Sequence, residues 1–219
     1  MQREILRYRA SLVRIQTGIK NRVHAILAKN NITHDFSDLF GKQGKHFLST
    51  LPLPKIYRMA LDRYLSVLDE LEQQIKAANK RIAVSVKDDE AARLLMTIRG
   101  VGHYGALLIK SEIGDISRFP SAKQLCSYAG LIPSTYSSGN TTFHGHITKQ
   151  GLKWLRWLRW IIAEAMGNCT GKHGHLQRFY GKLERRKGGK IARIATQRKL
   201  LEWIYHMLKG GEHCRTWRR

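Results

Sequence analysis

"EAARLLMTIRGVGHYGALLIKSEIGDISRF", residues 90–119, reads as helix, tight turn, helix. Apolar residues follow helical spacing on both sides of "RGVG", and Gly100 and Gly102 bracket the place where the chain must reverse. Gly114 stops the second helix. A helix-hairpin-helix of this kind leaves the amides at the second helix's N-terminus open to a phosphate, in a contact blind to base sequence. Gly100 and Gly102 are thus candidate nucleic-acid-binding positions. Many helix pairs need glycines merely to turn; the basic context favours binding here.

Working toward the C-terminus, "FPSAKQLCSYAGLIP" (119–133) is a short punctuated helix. Ser121 and Gln124 form a capping box, Gly130 marks the C-terminal stop, and Pro133 prevents continuation. "TYSSGNTT" (135–142) follows, a polar stretch gathered around Gly139. Its composition reads as a loop, since Ser and Thr hydroxyls satisfy turn backbones. The alternative is a hydroxyl presented for chemistry, because Lys149, Lys153, Arg156 and Arg159 come soon after it. Lys153, Arg156 and Arg159 interleave with Trp154, Trp157 and Trp160 in a helix with a basic edge, suited to a nucleic-acid backbone; membrane-surface helices share this composition. The last helix, from about Lys190 to Leu208, is expected to bury Ile191, Ile194, Leu201, Ile204 and Leu208. Before and within it, Arg185, Arg186, Lys187, Lys190, Arg193, Arg198 and Lys199 form a second phosphate-contacting surface. No alternating run demands a sheet.

Working toward the N-terminus, a helix over about 3–29 carries Ile5, Leu12, Ile19 and Ile26 at a seven-residue repeat, with Ile15 and Val23 on the same face. A second helix, about 55–84, has a stripe of Leu61, Leu65, Leu68, Leu71, Ile75, Ala78 and Ile82. Residues between them hold only short helical turns. The fold class is therefore mainly α: a long helical hairpin or coiled coil, then a compact helical domain containing the helix-hairpin-helix. The charged break "VSVKDDE" (84–90) separates residues 1–90, a helical linker, from a second domain over 91–210, with a basic tail at 211–219. A chain that opens inside an amphipathic helix is expected to be the later part of something longer.

The formal net charge of +23 makes a polyanion the default partner. Cys126, Cys169 and Cys214 are too scattered for a disulfide framework or zinc ribbon, and Cys169 with His173 and His175 lacks an evident fourth ligand. No metal site is expected. With no signal peptide and no bilayer-length apolar run, the expected location is cytoplasmic, with no membrane partner.

The order "IRGVG", "EIGDISRF", "AGLIP", "SSG", "ITKQG" and the late "RKLLEWIYHMLK", over residues 92 to 210, resembles the C-terminal domain of IS110/IS116/IS902-family transposases. The helices before it resemble that family's coiled-coil linker. The resemblance implies a DNA recombinase of a mobile element, with a serine nucleophile in this domain, a RuvC-like domain carrying DEDD metal-binding acids, and an element-encoded guide RNA. The family serine stands immediately before the loop glycine, which maps it onto Ser138. No strand ending in aspartate and no DEDD set precedes residue 92; Asp35, Asp38, Asp62 and Asp69 lie in helix or loop contexts. The expectation is thus an N-terminally truncated transposase with no cofactor of its own, Mg²⁺ belonging with the missing RuvC-like domain. Its partners would be DNA, guide RNA, and a second copy or a full-length transposase. The alternative is a catalytically inactive nucleic-acid-binding remnant or a regulator.

Overall fold

The computed structural model describes residues 2–138, 141–147, 154 and 174–211. The chain divides into two compact units, Arg3–Arg81 and Ile82–Arg219. The described residues are mainly helical.

In the first unit, α1 (Gln2–Lys29) and α3 (Lys55–Lys87) are joined through a nine-residue helix, α2 (Lys42–Thr50). The connector therefore holds a true helix where the sequence suggested only turns. Arg9 Nε donates to Asn79 Oδ1 at 3.1 Å, so the start of α1 meets the far end of α3 and the two run antiparallel. Leu12, Ile19, Val23, Ile26 and Leu27 of α1 share a core with Leu48 of α2 and Leu61, Leu68 and Leu71 of α3. Burial of these side chains, not helix propensity, holds such long helices in place. One expectation fails: Ile15 is 47% exposed, while Leu6 and Leu27 are buried. A straight helix drifts relative to a seven-residue repeat, which leaves Ile15 at the edge of the stripe. α1 ends with Asn31 in the left-handed region (φ 54°), as Ile32 N–H bonds Leu27 O at 3.0 Å and Asn31 N–H bonds Ala28 O at 3.2 Å. That is a Schellman stop using asparagine in place of glycine.

α3 runs to Lys87, so only Asp88 and Asp89 remain of the charged break. After the last residues of α3, the second unit holds α4 (Glu90–Leu95) and α5 (His103–Ile113), which pack together. Asp89 caps α4 by accepting from Ala92 N at 3.0 Å, and its other oxygen takes Lys110 Nζ of α5 at 2.5 Å. The carboxylate is 8% exposed, so a single buried acid both starts α4 and pins α5 to it. A 3₁₀ turn (Ile116–Arg118) and α6 (Ala122–Tyr128) follow. Ser121 is the N-cap residue of α6, but its side chain makes no capping hydrogen bond, so the expected box with Gln124 does not form. The Gly130 stop does form: φ is 69°, with Gly130 N–H on Ser127 O at 2.8 Å and Leu131 N–H on Cys126 O at 3.0 Å.

The C-terminal pair is α7 (Gly174–Lys187) and α8 (Gly189–Gly210). α8 is contacted by α7, α6, α4 and the 3₁₀ turn. Ala192, Thr196, Gln197, Leu200, Leu201, Ile204, Tyr205 and Met207 are buried, whereas Ile191 is 54% exposed. A helix covered from several sides carries no single apolar stripe, which is why the expected face was partly wrong. Among the described residues no helix is long and apolar enough to cross a membrane.

Candidate nucleic-acid interface and serine hairpin

The stretch expected to be a loop is mostly strand. β1 (Pro133–Ser138) pairs antiparallel with β2 (Thr141–Ile147). The register sets Ser138 opposite Thr141, Ser137 opposite Thr142, Tyr136 opposite Phe143 and Thr135 opposite His144, with an irregularity between Pro133 and Thr135. Threonine and aromatic residues favour extended backbone, and two such runs flank the central glycine. Ser138 is the last residue of β1 and is exposed. A ladder partner fixes its backbone, while its hydroxyl stands at the end of the strand. Gly139, Lys149, Lys153, Arg156 and Arg159 lie outside the described residues, as do Cys169, His173 and Cys214.

The turn between α4 and α5 contains Gly100 at φ 84°, a backbone that side chains other than glycine's rarely adopt. Gly102 differs. It is the N-cap of α5 at φ −86°, and a Cβ there would meet nothing within 4 Å. Gly102, as the N-cap, has no side chain with which to cap α5.

The second basic surface is more sharply drawn than its sequence. Arg185, Arg186, Lys187, Lys190 and Arg193 are all exposed and cluster about the α7–α8 turn at Gly188, whose φ is 79°. Gly188 offers no capping side chain to α8, so a helix N-terminus and these cations face the same solvent region. Lys190, in the first turn of α8, opposes the helix dipole, an arrangement that a bound anion would relieve. Arg198 and Lys199 are farther along and partly engaged. Arg198 Nε pairs with Glu202 Oε1 at 3.1 Å, and Lys199 Nζ lies 4.9 Å from the Phe179 ring centre. The patch is thus the turn, with the last two residues at its margin.

No three His, Cys, Asp or Glu side chains come together among the described residues. Asp62 pairs with Arg58, Asp69 with Lys45, and Asp38 accepts from the Phe40 amide. The hydrogen bond from Arg58 holds the Asp62 carboxyl below its ordinary range, which fits a structural role.

Cys126 is no alternative nucleophile. It is fully buried, its Sγ lies 3.8 Å from Arg198 O, and burial pushes the thiol up to about 12. Because the folded value exceeds the unfolded one, the protonated thiol's contribution is complete below about pH 9 and is lost as pH rises beyond it. Stability should fall by at most about 1.4 kcal/mol per pH unit from this group. Urea unfolding across that window should show the slope in the parent chain and a shallower one in Cys126→Ala.

Residues 92–180 match the family described as "Transposase IS116/IS110/IS902 family". The chain is 25% identical over 219 residues to the "Probable family 20 transposase" of Pseudomonas aeruginosa, covering 95% of this chain and 63% of that protein. It is 30% identical over 153 residues to the "Transposase for insertion sequence element IS1328" of Yersinia enterocolitica, covering 68% of this chain and 45% of the relative. A "Pilin gene-inverting protein" of Moraxella bovis is 36% identical over 120 residues, 54% of this chain and 37% of that protein. The chain therefore spans between about two fifths and two thirds of the length of these relatives. Both the α4–α5 turn and the Ser138 hairpin fall inside residues 92–180, and it is this segment that matches the IS116/IS110/IS902 transposase family.

Proposed function

We propose that this chain is the DNA-binding, serine-bearing part of an insertion-element transposase, acting in DNA transposition and recombination. The match over residues 92–180, which takes in the exposed serine at the end of β1, carries the reading. The cationic turn at Gly188 and the glycine turn before α5 hold duplex phosphates without reading bases. Ser138 Oγ attacks a backbone phosphorus; an O–P bond forms, one phosphoester P–O bond breaks, and the released sugar hydroxyl takes up the serine proton. The covalent ester keeps the bond energy for rejoining. Any divalent ion is supplied by a DEDD-bearing domain outside the matched segment, and a guide RNA selects the sites.

The test is direct. The chain is incubated with duplex DNA carrying element ends, Mg²⁺ or Mn²⁺, with and without a full-length relative, and denaturing gels are read for protein–DNA adducts. Adduct formation supports the transposase reading. Binding with no adduct under any of these conditions supports the alternative, a non-catalytic remnant or regulator.

A second copy is the protein partner that one observation favours. Besides its buried stripe, α3 presents Ile56 (68% exposed), Met59 (61%) and Val67 (45%) on one face, with Arg63 and Glu70 between and beyond them. Two such helices laid antiparallel, with Arg63 opposite the partner's Glu70, also set Met59 opposite Gln74 and Ile56 opposite Ala77, and bring the two Val67 residues together. Twofold symmetry makes each ion pair twice. Parallel pairing would stack like charges. Exposed pairs contribute about 0.5 kcal/mol each, so Arg63→Glu, which also adds repulsion, should weaken the dimer about tenfold in sedimentation equilibrium. Combining it with Glu70→Arg should restore association.

A further inference from the structure

We propose that Arg118, with Lys209 beside it, is a preorganised contact for a backbone phosphate of nucleic acid, apart from the α7–α8 turn. It rests on the nucleic-acid reading above and names residues that the basic clusters in the sequence do not include.

Arg118 ends the 3₁₀ turn and is exposed. Its guanidinium carbon lies 4.7 Å from the Phe119 ring centre and 4.7 Å from that of Tyr128 on α6. The two rings are themselves 5.3 Å apart, at an interplanar angle of 56°. Phe119 is 7% exposed and cannot move freely, so it serves as a fixed platform. Stacking occupies the faces of a guanidinium and leaves its in-plane N–H groups for an acceptor. The nearest acid in sequence, Asp115, is already committed: one oxygen takes Ser117 N at 2.9 Å and the other Ser117 Oγ at 2.5 Å. Asp115 also feels the Arg118 charge, but its hydrogen bonds go to Ser117, so a planar fork held by two rings is suited to bidentate binding of a phosphate.

Lys209, on α8, is tied through Tyr205 to the backbone just after Arg118. Its Nζ donates to Tyr205 Oη at 2.9 Å and lies 5.3 Å from the Tyr205 ring centre. Tyr205 is 3% exposed, and its hydroxyl shares its proton between Phe119 O at 3.0 Å and Pro120 O at 3.1 Å. Tyr205 thus fastens the segment that carries Arg118 to the helix that carries Lys209. Both cations are aligned by aromatic contact, at little further entropic cost when a phosphate arrives. A peptide carboxylate has related chemistry, but a net charge of +23 favours a polyanion over an isolated acid.

The test is the salt dependence of binding by the full chain to labelled duplex DNA and to duplex RNA of the same sequence. Arg118→Gln should lower the magnitude of the log–log slope by about 0.9 and weaken binding about three- to tenfold. Arg118→Lys should keep the slope and lose only part of the affinity. Lys209→Gln, which leaves the aromatic platform intact, should also lower the slope. Thermal melting of each variant should match the parent, since both side chains are at the surface. A change confined to DNA or to RNA identifies whose phosphate is held. If Arg118→Gln and Lys209→Gln bind with parental slope and affinity while Arg186→Gln does not, this contact is overturned and the nucleic-acid reading stands. If the parent chain binds neither duplex, both fall.

Discussion

Ser138→Ala should abolish covalent capture of DNA under the conditions in which the parent chain or its assembly forms an adduct, with duplex affinity changed less than about twofold. The two readouts separate because of where the residue sits. Ser138 ends β1, is exposed, and meets Thr141 through the backbone ladder. Alanine keeps that ladder and removes only the oxygen. Loss of a nucleophile commonly costs several orders of magnitude in rate, because the remaining groups stabilise a step that no longer starts. Phosphate contact, by contrast, is assigned to cations far along the chain, so equilibrium binding has no reason to change. Ser137→Ala is the matched control. It is one residue back, opposite Thr142 in the backbone ladder, and carries the same hydroxyl. If Ser137→Ala removes the adduct and Ser138→Ala does not, the nucleophile has been assigned to the wrong serine.

That hairpin also shows where sequence reading stops. Helical periodicity over long windows placed α1, α3, α5 and α8 well, since burial on one face repeats many times and a single exception such as Ile15 does not hide it. The hairpin strands are only six and seven residues long and rich in serine and threonine, whose hydroxyls suit turns equally well. Nothing within so short a window distinguishes a ladder from a loop. Arg118 escaped notice for another reason. It stands alone in sequence, with no cationic neighbour to make a cluster, and Tyr128 comes under it only once α6 has folded back. The Gly188 patch had the opposite fate: its charges were legible as a run, and folding narrowed the run to a turn. Gly100 and Gly102 looked equivalent in "RGVG", yet only Gly100 has the positive φ that requires glycine.

Gly44→Ala should be the most damaging single substitution in the first unit, destabilising it by about 3 kcal/mol. Gly44 lies in the first turn of α2 and is buried. A Cβ built there would fall inside contact distance of Leu39 O, C and Cα. Those are backbone atoms, so no flexible side-chain tip can swing away; either the 39–44 turn or α2 must shift. Both are costly, because Leu39 (4% exposed) and Leu48 (0%) are anchored in the core shared with α1 and α3. Two other glycines calibrate the result. At Gly41 the added carbon would lie 3.2 Å from Asp38 Oδ2, a side-chain atom able to yield, so the cost should be well under that at Gly44. At Gly18, inside α1, nothing lies within 4 Å, and alanine should stabilise by about 0.8 kcal/mol through helix propensity alone. Urea unfolding followed by a probe on α1 should therefore rank the variants Gly18→Ala, parent, Gly41→Ala, Gly44→Ala in falling midpoint. A Gly44→Ala midpoint equal to the parent's would mean that α2 is free to slide on Leu39, and that the connector adds nothing to the antiparallel packing of α1 and α3.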